Sequence, residues 1–380
     1  MNGSGQVFGH EDVRRDLARA VARDELPGSL LLHGPDGVGR QTLALWLARL
    51  MVCERPGPDG PCGDCRSCRL ALDLQHPDIH WFFPLPRPKG ASGPEKLAEA
   101  LEDARFAELA ERRADPLHRP PPDEPAGLYL AQIRTLRKRG ATRPAMARRQ
   151  VFIVGNAELL VPQEASEEAA NALLKLLEEP PPATTLILTA ADPEGLLPTL
   201  RSRLLPVRLR PFSDQRVAEF LHQRAGADPE TALRAARLAQ GSPGRALSFL
   251  PQDGAPAPTE QRRTAALDWL EAALELRPDR RYAAAHAERP AGARGPFSDT
   301  LAFLTVWLRD LAAVAAGAER HLVDADSLDR LRTLAGRIRA ENVPVAIQEV
   351  EAARDEGRIN ANPQLTLAGL LTEIGTILRR

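Results

Sequence analysis

The sequence predicts an α/β domain on a parallel sheet, followed by two all-helical segments. Three observations carry this expectation. The apolar runs "SLLLH", "QVFIVGNA" (150–157) and "TTLILTAA" (184–191) have the length and bounding turns of buried strands. Segments of helical periodicity lie between them, as a parallel sheet requires of its crossovers. After Pro211 no buried strand is evident, and from Thr259 onward the apolar spacing is that of long helices.

In chain order, "EDVRRDLARAVARD" (11–24) places Val13, Leu17, Ala20 and Val21 on one helical face. The strand "SLLLH" ends at Gly34 and Pro35, and "TLALWLARLMV" resumes a helical period. Residues 84–127 interrupt the pattern with proline-rich stretches around one helix, "EKLAEALEDARFAELAERR", and are expected to form a surface excursion, mobile in part. The helix "SEEAANALLKLLEE" is stopped by Pro180–Pro182, since proline lacks the donor N–H and clashes with the preceding turn. "SDQRVAEFLHQRAG" opens on a capping Ser213 or Asp214, "DPETALRAARLAQG" is a second short helix, and "PQDGAPAPTEQ" is a linker. The expected domains are 1–210, with a cysteine module at 53–68 and an insertion at 84–127; a small helical domain at 211–252; and a helical domain at 259–380.

At 380 residues the chain is long enough for two or three packed domains. Its 50 basic against 51 acidic residues give a net charge of -1, so contact with nucleic acid or anionic lipid must be local. The start "MNGSGQVFGHEDVRRD" lacks the pattern of a signal peptide, and no long uncharged apolar run follows, so a soluble cytoplasmic protein is expected. Cys53, Cys62, Cys65 and Cys68 follow C-x8-C-x2-C-x2-C. In a reducing compartment this clustering points to a closed structural Zn²⁺ site, with His76 and His80 as bystanders.

"HGPDGVGRQT" has the glycine spacing of a phosphate-cradling loop, with Gly34, Gly37 and Gly39. A working loop continues with lysine and a hydroxyl residue; here Arg40 and Gln41 stand there, with Thr42 next in line. Arginine keeps charge but not the compact ammonium geometry. Two readings stay open: residual nucleotide binding, or glycines that only let the strand-to-helix turn pack closely. A hydrolysing site would also end the "VFIV" strand in adjacent carboxylates, where this chain has Gly155 and Asn156. Glu158 and Glu164 stand beyond the strand end, where a glutamate is more often solvated. The run "IRTLRKRGATRPAMARR" concentrates charge, and Arg134, Arg137 and Lys138 form either a DNA-facing patch or a solvated helix face.

The stretch from "VFIVGNAELL" through "NALLKLLEEPP", "TAADPEG" and "LPTLRSRLLPVRL" closely resembles the ATPase module of bacterial DNA polymerase III clamp loaders, a branch of the AAA+ family. "LPGSLLLHGPDGVG", the cysteine group, "LAQGSPGRAL" and "INANPQLTLAGLL" extend the resemblance over most of the chain except the proline-rich insertion. It implies an α/β AAA+ (P-loop NTPase-like) domain, a small helical lid and an all-α collar that joins a hetero-pentamer. The departures resemble the delta-prime branch, which keeps the fold without the ATPase: besides Arg40, Gln41, Gly155 and Asn156, Ala190 stands at the sensor position with Thr189 one place early. Gly244 stands where a lid arginine is expected, with Arg245 one residue off. "RSRL" matches an S-R-C motif with Leu204 in the cysteine place, which implies that Arg203 acts in trans on a neighbouring subunit's ATP. The implied partners are the delta and tau/gamma subunits through the collar, where "TLAFLTVWLRDLAAVAAG" and "AIQEVEAARDEGRI" carry apolar stripes, and primer-template DNA inside the assembly. The implied cofactor is structural Zn²⁺, with ATP and Mg²⁺ either not bound or bound without hydrolysis. The competing expectations are an active AAA+ ATPase using Arg40 and Thr42, and a free-standing zinc-dependent DNA-binding protein.

Overall fold

The computed structural model describes residues 7–91, 93–118, 126–160, 168–251, 256–288, 294–358 and 362–379. The expectations for Glu164, for the "RPPPDEP" stretch at 119–125, for most of "PQDG" and for "INA" lie outside these residues. The chain divides into two compact units, one ending at Phe212 and the other running from Ser213.

The first unit is built on a five-stranded sheet of β1 (Ser29–His33), β2 (Ile79–Phe82), β5 (Gln150–Val154), β6 (Thr184–Ala190) and β7 (Leu205–Arg208), in the order β2-β5-β6-β1-β7. Every pairing is parallel, for example Leu31 opposite Leu188 and Ile153 opposite Ile187. A two-residue antiparallel ladder, β3 (Leu85–Pro86) with β4 (Ala126–Gly127), lies apart from it. Side chains alternate between the sheet faces, as the two-residue period of a strand dictates. Leu30, Leu32, Val151, Ile153 and Ile187 enter one apolar core with residues of α1 (Glu11–Ala22), α2 (Arg40–Val52) and α4 (Pro94–Ala114). Leu31, Phe152, Val154, Leu186 and Leu188 enter the other, with α5 (Leu130–Gly140), α6 (Glu168–Glu178) and α7 (Pro198–Arg201). The short helix α3 (Arg66–Leu72) follows the cysteine module.

The insertion is more integrated than a surface excursion. Leu97, Leu101 and Leu109 of α4 are buried in the first core with Trp81, Phe83 and Leu85. Arg105, 3% exposed, donates to the Trp81 carbonyl and pairs with Glu102, which also takes Arg139 of α5. The helix thus covers β2, an edge strand that would otherwise expose apolar surface.

Asp78 sits at the start of β2 with its side chain fully buried. Its two carboxylate oxygens accept the backbone N–H groups of Ala145, Met146 and Ala147 at 2.6–2.7 Å. Three orphan donors of the loop that feeds β5 are satisfied by one anion, a charge-assisted arrangement.

The second unit is all-helical: α8 (Asp214–Ala225), α9 (Pro229–Leu238), α10 (Pro243–Leu247), α11 (Pro258–Leu274), α12 (Pro278–Ala287), α13 (Arg294–Ala315), α14 (Leu328–Ala335), α15 (Val343–Arg358) and α16 (Pro363–Arg379). Ser213 caps α8 and Asp228 caps α9, each side chain accepting first-turn N–H groups. The stripes expected to meet sister subunits are used within the unit: Leu301, Leu304, Trp307, Leu308 and Leu311 of α13 and Ala346 and Val350 of α15 are all buried. Exposed instead are Leu276, Tyr282 and Leu365. Helix α9 is tied to the longer helices by Arg234, which bonds Glu260 of α11 at 2.8 Å and Asp326 at 2.5 Å. Beside it Arg263 pairs with Glu260 and with the buried Asp324. No described helix is long and apolar enough to cross a membrane.

Two predictions follow from these buried acids. Asp78→Ala strands three N–H donors and should lower unfolding free energy by about 2–4 kcal/mol, read by chemical denaturation. Asp310, buried on α13, accepts N–H groups from Val323 and Asp324, yet burial raises its pKa from 3.8 to about 6. The folded state holds this proton more tightly than the unfolded chain, so its contribution to stability is fully present below pH 3.8 and lost as pH rises through 6. Between those limits the wild type should lose up to about 3 kcal/mol relative to Asp310→Asn, measured as the difference between their stability–pH curves.

Candidate functional site

Three of the strand ends converge with the glycine loop. Gly34 follows β1 with φ +148°, and a Cβ there would lie 2.4 Å from the Leu209 carbonyl oxygen, so only glycine permits β7 to pass this closely. Gly37 and Gly39 also take positive φ, and α2 then starts at Arg40. The loop therefore keeps the backbone course of a phosphate cradle.

Its side chains face other side chains of the unit, although one Arg40 terminal nitrogen is buried without a hydrogen-bond partner among the described residues. Arg40 is 4% exposed, donates to Asp36 at 2.9 Å and lies 3.8 Å from Glu158. Gln41 donates its carboxamide N–H to Asn156 at 3.2 Å, and its oxygen faces Arg112 of α4 at 3.5 Å. A Cβ at Gly155 would meet the Gln41 carboxamide at 3.1 Å. Where a hydroxyl and a carboxylate would share a metal ion, two amides meet directly. Asn156 itself is left-handed at φ 49°, a conformation asparagine tolerates better than most residues. Thr42 is exposed on the first turn of α2.

Glu158 departs from expectation. It is not solvated: its side chain is 14% exposed, accepts the Ala191 N–H at 2.7 Å beyond the end of β6 and pairs with Arg40. Burial raises its pKa, while the Ala191 N–H and the Arg40 charge pull it back down. Thr189 accepts the Asn156 N–H at 2.9 Å, and Ala190 is buried in the sheet. Both residues at the sensor position therefore belong to the scaffold. In the second unit Arg245 lies with its guanidinium 5.4 Å from the Phe303 ring centroid.

Arg203 follows α7, half-exposed. It donates to the Thr199 carbonyl at 2.9 Å and pairs with Glu178 at the end of α6 at 2.6 Å. Leu204, in the cysteine place of the motif, is 6% exposed and packs in the second core with Leu200 and Leu177. The leucine anchors the turn that carries Arg203.

Cys53, Cys62, Cys65 and Cys68 bring their sulfurs within 4.8 Å of one another. The separations of 3.5 Å (Cys53–Cys62) and 3.9 Å (Cys62–Cys68) bracket the ~3.8 Å edge of a tetrahedron of thiolates ~2.3 Å from a central ion. None of the four is in a disulfide. Local structure explains the convergence. Cys65 is the N-cap of α3, its sulfur accepting the Cys68 N–H at 3.3 Å, and Gly57 and Gly60 exchange backbone hydrogen bonds across the turn. A Cβ on Gly60 would lie 2.9 Å from the Trp46 ring, so glycine is required there. Burial raises the Cys65 thiol, but N–H donors from Glu54 and Cys68 and the neighbouring thiols more than offset it, bringing it down to about 7. The donor set fits a thiophilic divalent ion with no position left for water. His76 accepts the Asp78 N–H, and His80 stacks on Phe152, its pKa lowered to about 4 by burial and by Arg139 and Arg105.

Arg134, Arg137 and Lys138 share the exposed face of α5, and among the described residues none has a side-chain partner. Arg139, on the same helix, instead faces His80 and Glu102.

A family model described as DNA polymerase III, delta subunit, matches residues 9–213. The chain belongs to this family. The DNA polymerase III subunit delta' of Escherichia coli K12 is 30% identical over 59% of this chain and 55% of its own length. The subunit gamma/tau of Mycobacterium tuberculosis H37Rv is 30% identical over 95% of this chain and 59% of its own. The chain thus spans between half and three-fifths of the length of these relatives. Among solved structures, a DNA polymerase III gamma subunit-related protein from Thermotoga maritima is 14% identical, covering 97% of this chain and 100% of its own, with a TM-score of 0.39. The parallel sheet with flanking helices and the helical C-terminal half agree with the AAA+-type fold expected of the family.

The cysteine geometry predicts one tightly held divalent ion per chain, with sulfur-only coordination in X-ray absorption. Cys68→Ser should abolish stoichiometric binding and lower the unfolding temperature by on the order of 5–10 °C.

Proposed function

We propose that this chain is the non-hydrolysing, delta-prime-like stator of a bacterial clamp loader. In this reading it assembles in the cytoplasm with delta and tau/gamma subunits as a hetero-pentamer through its C-terminal helices. It supplies Arg203 in trans to a neighbour's ATP, and the assembly loads the sliding clamp on primed DNA. The observation that carries the reading is the internal consumption of the loop: Arg40 is paired with Asp36 and Glu158, and Gln41 is bonded to Asn156. No carboxylate stands at Gly155 or Asn156 to hold a metal ion or to orient an attacking water. ATP and Mg²⁺ are then not bound, or are bound without turnover.

The arginine contacts of α9 with α11 and the Arg263–Asp324 pair support a rigid helical unit, as a stator requires. The tetrahedral sulfur arrangement supports a structural Zn²⁺ at Cys53, Cys62, Cys65 and Cys68. The exposed Arg134, Arg137 and Lys138, without a side-chain partner among the described residues, support phosphate contacts with primer-template DNA inside the assembly, which would be salt-dependent and sequence-independent. One observation favours an ATP-hydrolysing, tau/gamma-like subunit instead: the similarity to gamma/tau relatives runs through 95% of the chain.

Steady-state hydrolysis separates the two. The isolated chain should show no ATP turnover above background, and Arg40→Ala should change nothing; turnover lost in that variant would establish the hydrolysing subunit. In the reconstituted loader, Arg203→Ala should leave assembly intact. A trans arginine is worth about 10³–10⁵ in rate, so hydrolysis at the site it serves should disappear while other sites persist. Unchanged loader ATPase would remove the trans role.

A further inference from the structure

We infer that Glu178 is a positioning residue for Arg203, a role that rests on the trans-acting reading above. The two residues lie 25 positions apart in sequence but on elements fixed against each other. Leu173, Leu176 and Leu177 of α6 and Leu200 and Leu204 around α7 are buried in one apolar core. The backbone of Arg203 is set by its N–H bond to the Leu200 carbonyl at 3.1 Å, and the neighbouring Leu204 N–H bonds the Arg201 carbonyl. Only the side chain of Arg203 is left to choose a direction.

That choice is made at two points. One terminal nitrogen donates to the Thr199 carbonyl at 2.9 Å and lies 3.4 Å from the Ser202 hydroxyl; the other reaches the Glu178 carboxylate at 2.6 Å. A planar guanidinium held at both terminal nitrogens by acceptors on separate elements has its plane defined, while its remaining N–H groups stay open to an incoming anion. The neighbouring Arg201 pairs instead with Glu194, so Arg203 is the arginine of the two that pairs with α6. Both Arg203 and Glu178 are about two-fifths exposed, at 38% and 42%. In solvent such a pair adds little to folding stability. Its consequence is pre-organisation: an arginine that must otherwise search its rotamers starts from one orientation.

The opposing effect is electrostatic, because a carboxylate beside the guanidinium offsets part of its charge. Solvent screening at this exposure weakens that penalty, whereas the hydrogen-bond geometry persists. Orientation should therefore dominate, and removing the carboxylate should slow hydrolysis, not speed it.

The test uses the loader reconstituted with the full-length chain as wild type, Glu178→Ala, Glu178→Gln, Arg203→Ala and the Glu178→Ala/Arg203→Ala double variant. Assembly is checked by size-exclusion chromatography, and DNA-stimulated ATPase is resolved into kcat and KM. Glu178→Ala should lower the Arg203-dependent part of kcat by about 3- to 10-fold with KM for ATP unchanged. Glu178→Gln, whose amide oxygen can still accept from Arg203, should recover most of the rate, and in the Arg203→Ala background Glu178→Ala should have no further effect. Normal kcat in Glu178→Ala alongside a deficit in Arg203→Ala overturns the positioning role alone, as does a faster enzyme or an additive double variant. A normal rate in Arg203→Ala overturns the trans reading and this inference together. If Glu178→Ala fails to assemble, wild-type behaviour of Glu178→Gln together with reduced kcat in Glu178→Leu supports the role, and equal rates in those two variants overturn it.

Discussion

A parallel sheet carries its strand termini to one edge, where backbone groups run out of ladder partners and must be satisfied by something else. The central strands of this protein meet that constraint with two side chains and one further backbone carbonyl. Glu158 takes the Ala191 N–H, Thr189 takes the Asn156 N–H, and the Gly155 N–H returns to the Phe82 carbonyl. In a nucleotide-hydrolysing relative of this architecture the same edge holds phosphates and a metal ion. Here the residues that complete the strand ends also occupy the charges of the loop, since Glu158 is shared between a strand terminus and Arg40. The completion of the strand ends and the pairing of the loop's arginine are one arrangement. An unpaired Glu158 would be a buried carboxylate without its countercharge, and the energetics of such groups favour keeping the pair.

The same logic of buried polar groups recurs elsewhere. Asp78 serves three N–H groups of the loop before β5, and Arg105 and Arg139 share Glu102 where the inserted helix meets α5. Arg112 is seated near both Trp81 and Phe83, within 4.4 and 4.2 Å of the ring centroids, and pairs with Glu108. The insertion therefore extends the first core with both apolar and cationic contacts, and through Arg112 it reaches Gln41. A segment whose composition resembles a linker is held by the one long amphipathic helix inside it.

Much of this was legible in the sequence because it depends on local pattern. β1, β5 and β6 announce themselves as apolar runs bounded by turns, and the helix stop at Pro180 follows from proline chemistry. The cysteine spacing brought four sulfurs together as expected, and the basic triplet on α5 lies on one exposed face because positions 134, 137 and 138 are helical neighbours. What escaped notice depends on distant partners. β2 and β7 are four-residue strands with His80, Pro206 and Arg208 in them, so their runs are too short and polar to stand out, and their strand character comes from pairing with β5 and β1. Glu158 looked like a solvated glutamate because nothing in its own neighbourhood reveals Arg40 or Ala191. The docking of α4 and the burial of the α13 stripe within its own unit are likewise tertiary choices.

Arg203 shows where such reading passes from pattern to chemistry. The motif around it marks the position, and Leu204 in the cysteine place first looks like a defect. In the fold that leucine is buried with Leu177 and Leu200 and packs the turn that precedes β7. The degenerate loop and the retained arginine then obey opposite demands. Arg40 is buried, paired and withdrawn from solvent, whereas Arg203 is held at its terminal nitrogens but left accessible. A guanidinium can act on a phosphate in another chain only if its anchoring leaves donors free and its exposure permits approach. Of these two arginines, Arg203 meets both conditions, whereas Arg40, although one terminal nitrogen has no hydrogen-bond partner among the described residues, is buried and fails the second.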